Sequence, residues 1–259
     1  MNYGMYISTS GALNASYRQD LHAANLANVN TIGFKPEMAI TRQRDPVRLE
    51  DNLGFLPSND LLERLGAGVM ADRTRTDYSQ GVVRATGNDL DLAIKGEGFF
   101  TLLDEQDKTD NRYRLTRDGR FTRNAEGTMV SITNGMPLVG TNGNPIKLPG
   151  DAPVTIQPDG AILQNGVEIA TISFVEITNR AALQKAPDGL FVADVTQMAN
   201  KVQATGHIEQ GAIEEAAINE IDTIMKIEKA AREAQANIGM IGYHDRLLNQ
   251  AVNRFARVG

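Results

Sequence analysis

Cysteine is absent from all 259 residues. That removes disulfides, a thiolate nucleophile and every Cys-ligated metal site. It suits a cytosolic protein, and equally one that crosses an oxidising space without oxidative folding. Long apolar runs are missing too, and none approaches the roughly 20 residues a membrane span needs. Basic charge is short: 26 Lys and Arg against 32 Asp and Glu leave a formal net charge of -6. Nucleic acid or an anionic membrane would select the opposite balance. The opening "MNYGMYISTSGALNASYRQD" has no basic segment followed by a solid apolar core, so no cleavable signal peptide of the usual kind is expected. What remains is a globular composition, 41% hydrophobic and 22% charged, long enough for a core in one or two domains.

Chemistry-bearing constellations are equally scarce. His22, His207 and His244 form no ligand spacing. The acidic run "DEQDKTDNR" (104–112) lacks the turn Gly and closing Glu of a calcium loop. "GEGFF" (Gly96–Phe100) has no third Gly and leads into a strand, unlike a dinucleotide fingerprint. Asp89 and Asp91 in "NDLDLAI" stand two apart, on one side if the segment is a strand. A carboxylate pair can do acid–base work, but nothing else of an active site accompanies it. The sequon at Asn14 falls in a predicted helix. We expect no catalytic, cofactor-binding or metal-binding residue, no cofactor and no small-molecule substrate: this is not an enzyme's sequence.

The chain has helical ends and a β middle, an α+β pattern. Near the N-terminus Leu13, Tyr17, Leu21, Ala24 and Asn28 recur at spacings of three or four, on a face thin in large apolar groups. Such a helix needs a partner. Residues 36–85 mix charge with Pro and Gly and read as extended or loop-like, with one helical turn near Leu61–Leu65. From 86 to 200, turn signals such as "NAEG", "TNGNP", "QNGV" and "PDGL" separate short β-branched and aromatic runs, the mark of hairpins and meanders. Residues 201–216 return the chain. Over 217–259 the period becomes helical: Ile224, Ile227, Ala231, Ala234, Ile238, Ile241, Asp245, Leu248, Val252 and Phe255 form a seam of mean period 3.5. We expect the two terminal helices (1–35 and 217–259) to pair as a coiled coil, with the β domain as an outward insertion. A terminal helix packed on its own domain is the alternative.

"NLANVNTIGFK" (25–35) closely resembles the N-terminal signature of bacterial flagellar basal-body rod proteins, the axial family shared by rod and hook. "GNDLDLAIKGEGFFTL", "YRLTRDGRFTRNAEGTMVSITNGMPLVG" and "PVTIQPDGAILQNGVEIATISFVEI" look like the family's β domain, in the same order. Arg232, Asn237, Ile241 and Asp245 fall on family positions of the last helix. Ala234 and Gln235 stand where an aromatic–Glu pair is usual, and Gly211 and Ala212 replace a usual Ser-Asn.

The resemblance implies a structural subunit of the flagellar rod, its terminal helices forming an inner tube and its β domain packing outside. It implies export through the flagellum's own secretion channel without a cleaved signal, and residence in the periplasm-spanning basal body. The implied partners are other copies, other rod and hook axial proteins, the export apparatus, and the surrounding rings. The proximal-rod type is favoured and the distal-rod type is the alternative. On this reading Leu13, Tyr17, Asn25, Asn28, Gly33 and Phe34 join the C-terminal seam at the assembly interface. Asn28 and Asn30 would satisfy orphan groups at the helix end, and Gly33 would allow the left-handed turn that stops it. Phe34 and Lys35 would then be an apolar and a charged anchor; an ordinary helix cap is the simpler alternative. Two readings from other classes compete: a secreted β-rich binding or adhesion module, and an enzyme built on Asp89 and Asp91.

Overall fold

The computed structural model describes residues 3–50, 52–57, 66, 68–107, 112–150 and 152–255. They fall into two compact units: Met1–Ala27, Glu37–Thr76 and Asn219–Gly259 in one, Asn28–Pro36 and Asp77–Ile218 in the other. Helices at both ends and a β-rich middle agree with the sequence pattern.

The first unit contains the N-terminal helix Tyr3–Ala27 and the C-terminal helix Glu220–Phe255. Asn219 starts the second helix, its Oδ1 accepting the Asp222 N–H at 3.1 Å, and Glu220 and Asp222 put negative charge at the positive end of the helix dipole. The helices run antiparallel. Gly4 lies against His244, Gly11 against Asn237, and Arg18 pairs with Glu233.

The stretch expected to be extended or loop-like contains an antiparallel arm. Glu37–Met38 pairs with Arg75–Thr76, and Thr41–Gln43 with Val69–Ala71. Its footing is polar and comes from the N-terminal helix. Ser10 Oγ accepts the Val69 N–H at 3.2 Å, and Asn14 meets Thr41 at 3.4 Å. The groups that hold the arm are thus remote in sequence, which is why its own residues carry so weak a pattern. The turn expected near Leu61–Leu65 lies outside the described residues, as do positions 108–111 of the acidic run.

The second unit is built on a six-stranded sheet. Its strands, in spatial order, are Gln184–Lys185, Leu190–Val192, Tyr113–Thr116, Phe99–Leu103, Phe174–Glu176 and Val202–Gln203. A meander of Val154–Ile156, Ala161–Gln164 and Val167–Thr171 lies in the same unit. Asn165 and Gly166 join its last two strands with φ of 54° and 78°, the positive values an Asn-Gly hairpin supplies. The expected return segment is itself β: His207–Gln210 pairs with Leu92–Lys95, and Ala212–Glu214 with Val83–Ala85. Leu92, Ile94, Phe100, Leu102, Phe121, Met129, Leu138 and Ile162 are among the buried side chains of the main core.

Phe100 and Phe121 meet edge to face with ring centroids 5.4 Å apart in that core. Phe121→Ala is expected to cost about 3–5 kcal/mol, the usual penalty for emptying a buried aromatic site. Urea unfolding followed by circular dichroism measures it, and a change below about 1 kcal/mol would place the ring outside the core.

Candidate functional site

Small residues, not large ones, bring the helices together. Ser8 and Ala15 are buried on the N-terminal helix, and Thr223, Ala230 and Ala234 on the C-terminal one. A Cβ at Gly4 would stand 2.7 Å from the His244 ring, and one at Gly11 2.9 Å from the Asn237 amide. The inward line of the C-terminal helix is therefore Thr223, Ile227, Ala230, Ala234, Asn237, Ile241 and His244, alternating steps of four and three.

The seam expected from periodicity shares Ile227, Ala234 and Ile241 with that line but is otherwise offset by one residue. Ile224, Ile238 and Asp245 lie exposed beside the contact, with Ala231 half-buried. Leu248 and Val252 are exposed because the helix runs on past Gly4. The Phe255 side chain lies outside the described residues. On the N-terminal helix the face expected to pack is split: Leu13 is 67% exposed and Ala24 exposed, while Tyr17 and Leu21 are half-buried, as is Asn28 just past the helix end. Antiparallel packing selects the line that lets the backbones approach, not the neighbouring line of larger side chains with the same period.

The amides of "NLANVN" take separate tasks. Asn25, buried in the last helical turn, clamps the Glu37 backbone: its Nδ2 donates to the carbonyl at 2.7 Å and its Oδ1 accepts the N–H at 3.0 Å. Thr31 donates to Asn28 twice, Oγ1 to Oδ1 at 3.2 Å and N–H to the carbonyl at 3.0 Å. Asn30 is exposed. Gly33 has the left-handed φ expected, 68°, but the helix ends at Ala27, so Gly33 is not its stop. Its N–H donates to the Glu214 carbonyl at 2.7 Å, and a Cβ would lie 2.4 Å from the Arg117 carbonyl carbon. Close backbone approach demands glycine here.

Behind Gly33 is a buried charge cluster. Lys35 is 1% exposed and Glu214 0%. Lys35 Nζ donates to Glu214 Oε1 at 2.6 Å and to the Ser79 carbonyl at 2.7 Å. The same Oε1 accepts the Gly81 N–H at 2.9 Å, and Oε2 accepts from Arg117 Nη1 at 3.2 Å. Arg117 also donates to the Gly96 carbonyl at 2.8 Å, with its guanidinium over the Phe99 ring at 5.3 Å. Burial pulls the Lys35 pKa below its ordinary value, and Glu214 pulls against it. Phe34 is buried too, with Lys185 Nζ 3.9 Å from its ring centre and donating to the Lys35 carbonyl at 3.0 Å. Lys35 and its two charged partners lie far apart in the chain, so no local pattern could have announced them.

The aspartates do not form a pair. Asp91 is buried and accepts from Thr86 Oγ1 at 2.7 Å and Asn88 Nδ2 at 3.2 Å. Asp89 is exposed in a turn, not a strand, so the expected shared face does not arise. His207 is exposed, and His22 and His244 are half-buried on the helices.

A family model described as flagella basal body rod protein matches residues 5–35, and one described as the flagellar hook protein FlgE/F/G D1 domain matches residues 93–164. The first match ends at Lys35. Among curated relatives, the flagellar basal-body rod protein FlgF of Caulobacter vibrioides is 30% identical over 100% of both chains. The FlgG rod protein of Bacillus subtilis is 28% identical over 96% of this chain and 97% of its own. The flagellar hook protein FlgE of Helicobacter mustelae is 38% identical over 45% of this chain and 25% of its own.

Lys35→Ala leaves the Glu214 carboxylate buried with a single cation and is expected to destabilise the second unit by about 3–5 kcal/mol in chemical unfolding. A loss within about 0.5 kcal/mol would mean the cluster is energetically idle. In the first unit, burial and then the Lys226 charge hold the His22 imidazole below its ordinary pKa. The unfolded chain therefore takes up the proton first as pH falls through about 6.5. Helix-pair stability should drop through that window and level off below the folded value. Thermal melts at pH 7.5 and 5.5 should show a larger acid loss for the wild type than for His22→Gln; equal losses would contradict the assignment.

Proposed function

The chain belongs to the flagellar basal-body rod protein family, and from that premise we propose that it builds the proximal segment of the rod. It is a structural subunit of the basal body, serving motility. The observation that carries the assembly reading is the uncovered apolar surface of the C-terminal helix: Ile221, Ile224, Met225, Ile238, Leu248 and Val252 are all exposed in the single chain. Isolated soluble proteins rarely leave such a surface uncovered, and neighbouring copies would bury it. The exposed Tyr6 and Leu13 of the N-terminal helix belong to the same surface in this proposal.

In the rod the helix pair winds as a coiled coil along the tube wall, its heptad-like small-residue line allowing close approach. The β unit packs outside, and residues 36–85 reach toward a neighbour or the surrounding rings. Other rod and hook subunits are the axial partners, and the likeness to hook proteins supports that choice. Export proceeds through the flagellar channel, and the absence of cysteine rules out stray disulfides on the way. Likeness to FlgF across both whole chains favours the proximal position; full-length likeness to FlgG supports the distal one as the alternative.

Ile238 is 59% exposed in the single chain. Ile238→Asp should therefore leave the helical circular dichroism and melting of the soluble chain within about 0.5 kcal/mol of wild type, yet abolish incorporation into basal bodies and swimming. Motile cells carrying the substitution would remove this surface from the interface. Electron cryo-microscopy of basal bodies with a tag inserted after Asp107 reads the level of the rod, low for proximal and high for distal.

A further inference from the structure

Residues 31–36 are held in the second unit as a ligand is held in a pocket. Their main chain is bonded from two sides: Gly33 N–H to the Glu214 carbonyl at 2.7 Å, and Ala217 N–H to the Phe34 carbonyl at 3.3 Å. A third contact runs from the Asp77 N–H to the Pro36 carbonyl at 2.8 Å. Their side chains fill separate subsites. Lys35 enters an anionic one made by Glu214 and the Ser79 carbonyl, and the Phe34 ring lies against Lys185. Gly33 occupies a slot on the Arg117–Asp118 backbone too tight for any Cβ.

The acceptor groups are positioned by contacts that do not involve this segment. Arg117 is fixed by the Ile94 and Gly96 carbonyls and the Phe99 ring. Glu214 ends a strand paired with Val83–Ala85 and accepts the Gly81 N–H. Lys185 belongs to a strand paired with Leu190–Val192.

We propose that the second unit carries a preformed receptor for an extended Gly-aromatic-Lys peptide, and that residues 31–36 are its detachable intramolecular ligand. The unit then has a latched and an unlatched state. In the unlatched state it binds the same peptide sequence supplied from outside. In the wild-type chain the tethered segment competes at an effective concentration of order millimolar, so external peptide is excluded.

The test uses the full chain and a fluorescent peptide of residues 31–36, Thr-Ile-Gly-Phe-Lys-Pro. Gly33→Val ejects the resident segment, since a β-branched residue at φ 68° would also collide with Arg117. Anisotropy titration should give saturable binding to the Gly33→Val chain at least about tenfold tighter than to wild type. Norleucine in place of the peptide's lysine should weaken it by on the order of tenfold or more, through loss of the charge-assisted bond to Glu214. Hydrogen exchange at Ile94, Leu102 and Leu115 reports whether the variant's sheet stays folded. Slow exchange without peptide binding overturns the proposal, as does equal binding to wild type and variant. Fast exchange that the peptide fails to slow also overturns it, because the receptor would not be preformed.

Discussion

Glu214 has no exposed surface, and everything around it follows from keeping its charge in the interior. An unpaired carboxylate there would cost several kcal/mol, so the fold surrounds it with Lys35, Arg117 and the Gly81 N–H. Those partners come from the segment after the first helix, the residue that follows strand Tyr113–Thr116 and the approach to strand Val83–Ala85. One carboxylate therefore sets the position of three remote pieces of chain. Its own backbone carbonyl takes a fourth contact from Gly33, which ties residues 28–36 to the strand Ala212–Glu214. An apolar substitute would be bulk without direction, whereas these bonds hold one register.

The helix pair works by a different economy. Its contact line is mostly Gly, Ser, Ala, Thr and Asn, with only Ile227, Ile241 and His244 larger, so it buries little apolar area and backbone approach carries much of the packing. Large apolar groups of the C-terminal helix, Ile221, Ile224, Met225 and Ile238 among them, stay exposed, which is where the proposed rod contacts would form. A subunit that joins an assembly benefits from that division, since its strongest surface becomes useful only when other copies are present. Asn25 extends the polar logic, standing in for a strand by offering one donor and one acceptor to Glu37.

Local chemistry was legible wherever a residue's task depended on its immediate neighbours. Asn165-Gly166 reads as a hairpin in the sequence and is one in the structure, because positive φ is a local demand. The switch to a helical period, expected over 217–259, reads nearly as well, since the helix begins at Glu220. The sense of "NLANVNTIGFK" did not, beyond its left-handed glycine. Phe34 and Lys35 read as an apolar and a charged anchor, and both are buried in the chain's own β unit, but the sequence does not say what they hold to. Their partners Lys185, Arg117 and Glu214 stand outside any local window.

Taken alone, the sequence determined the helical ends, the hairpin-rich middle and the kinship with rod proteins, since these rest on spacing, turn chemistry and runs of matching residues. Which line of each helix faces inward was decided by tertiary packing, because two lines satisfied the same period and only one let the backbones close. Packing also made an arm of the strand pairs 37–38 with 75–76 and 41–43 with 69–71, as the hydrogen bonds that anchor it belong to Ser10, Asn14 and Asn25 of the helix. The buried cluster belongs wholly to the fold. A lysine, an arginine and a glutamate are unremarkable in sequence, and become one interaction only when the chain brings them within hydrogen-bond reach.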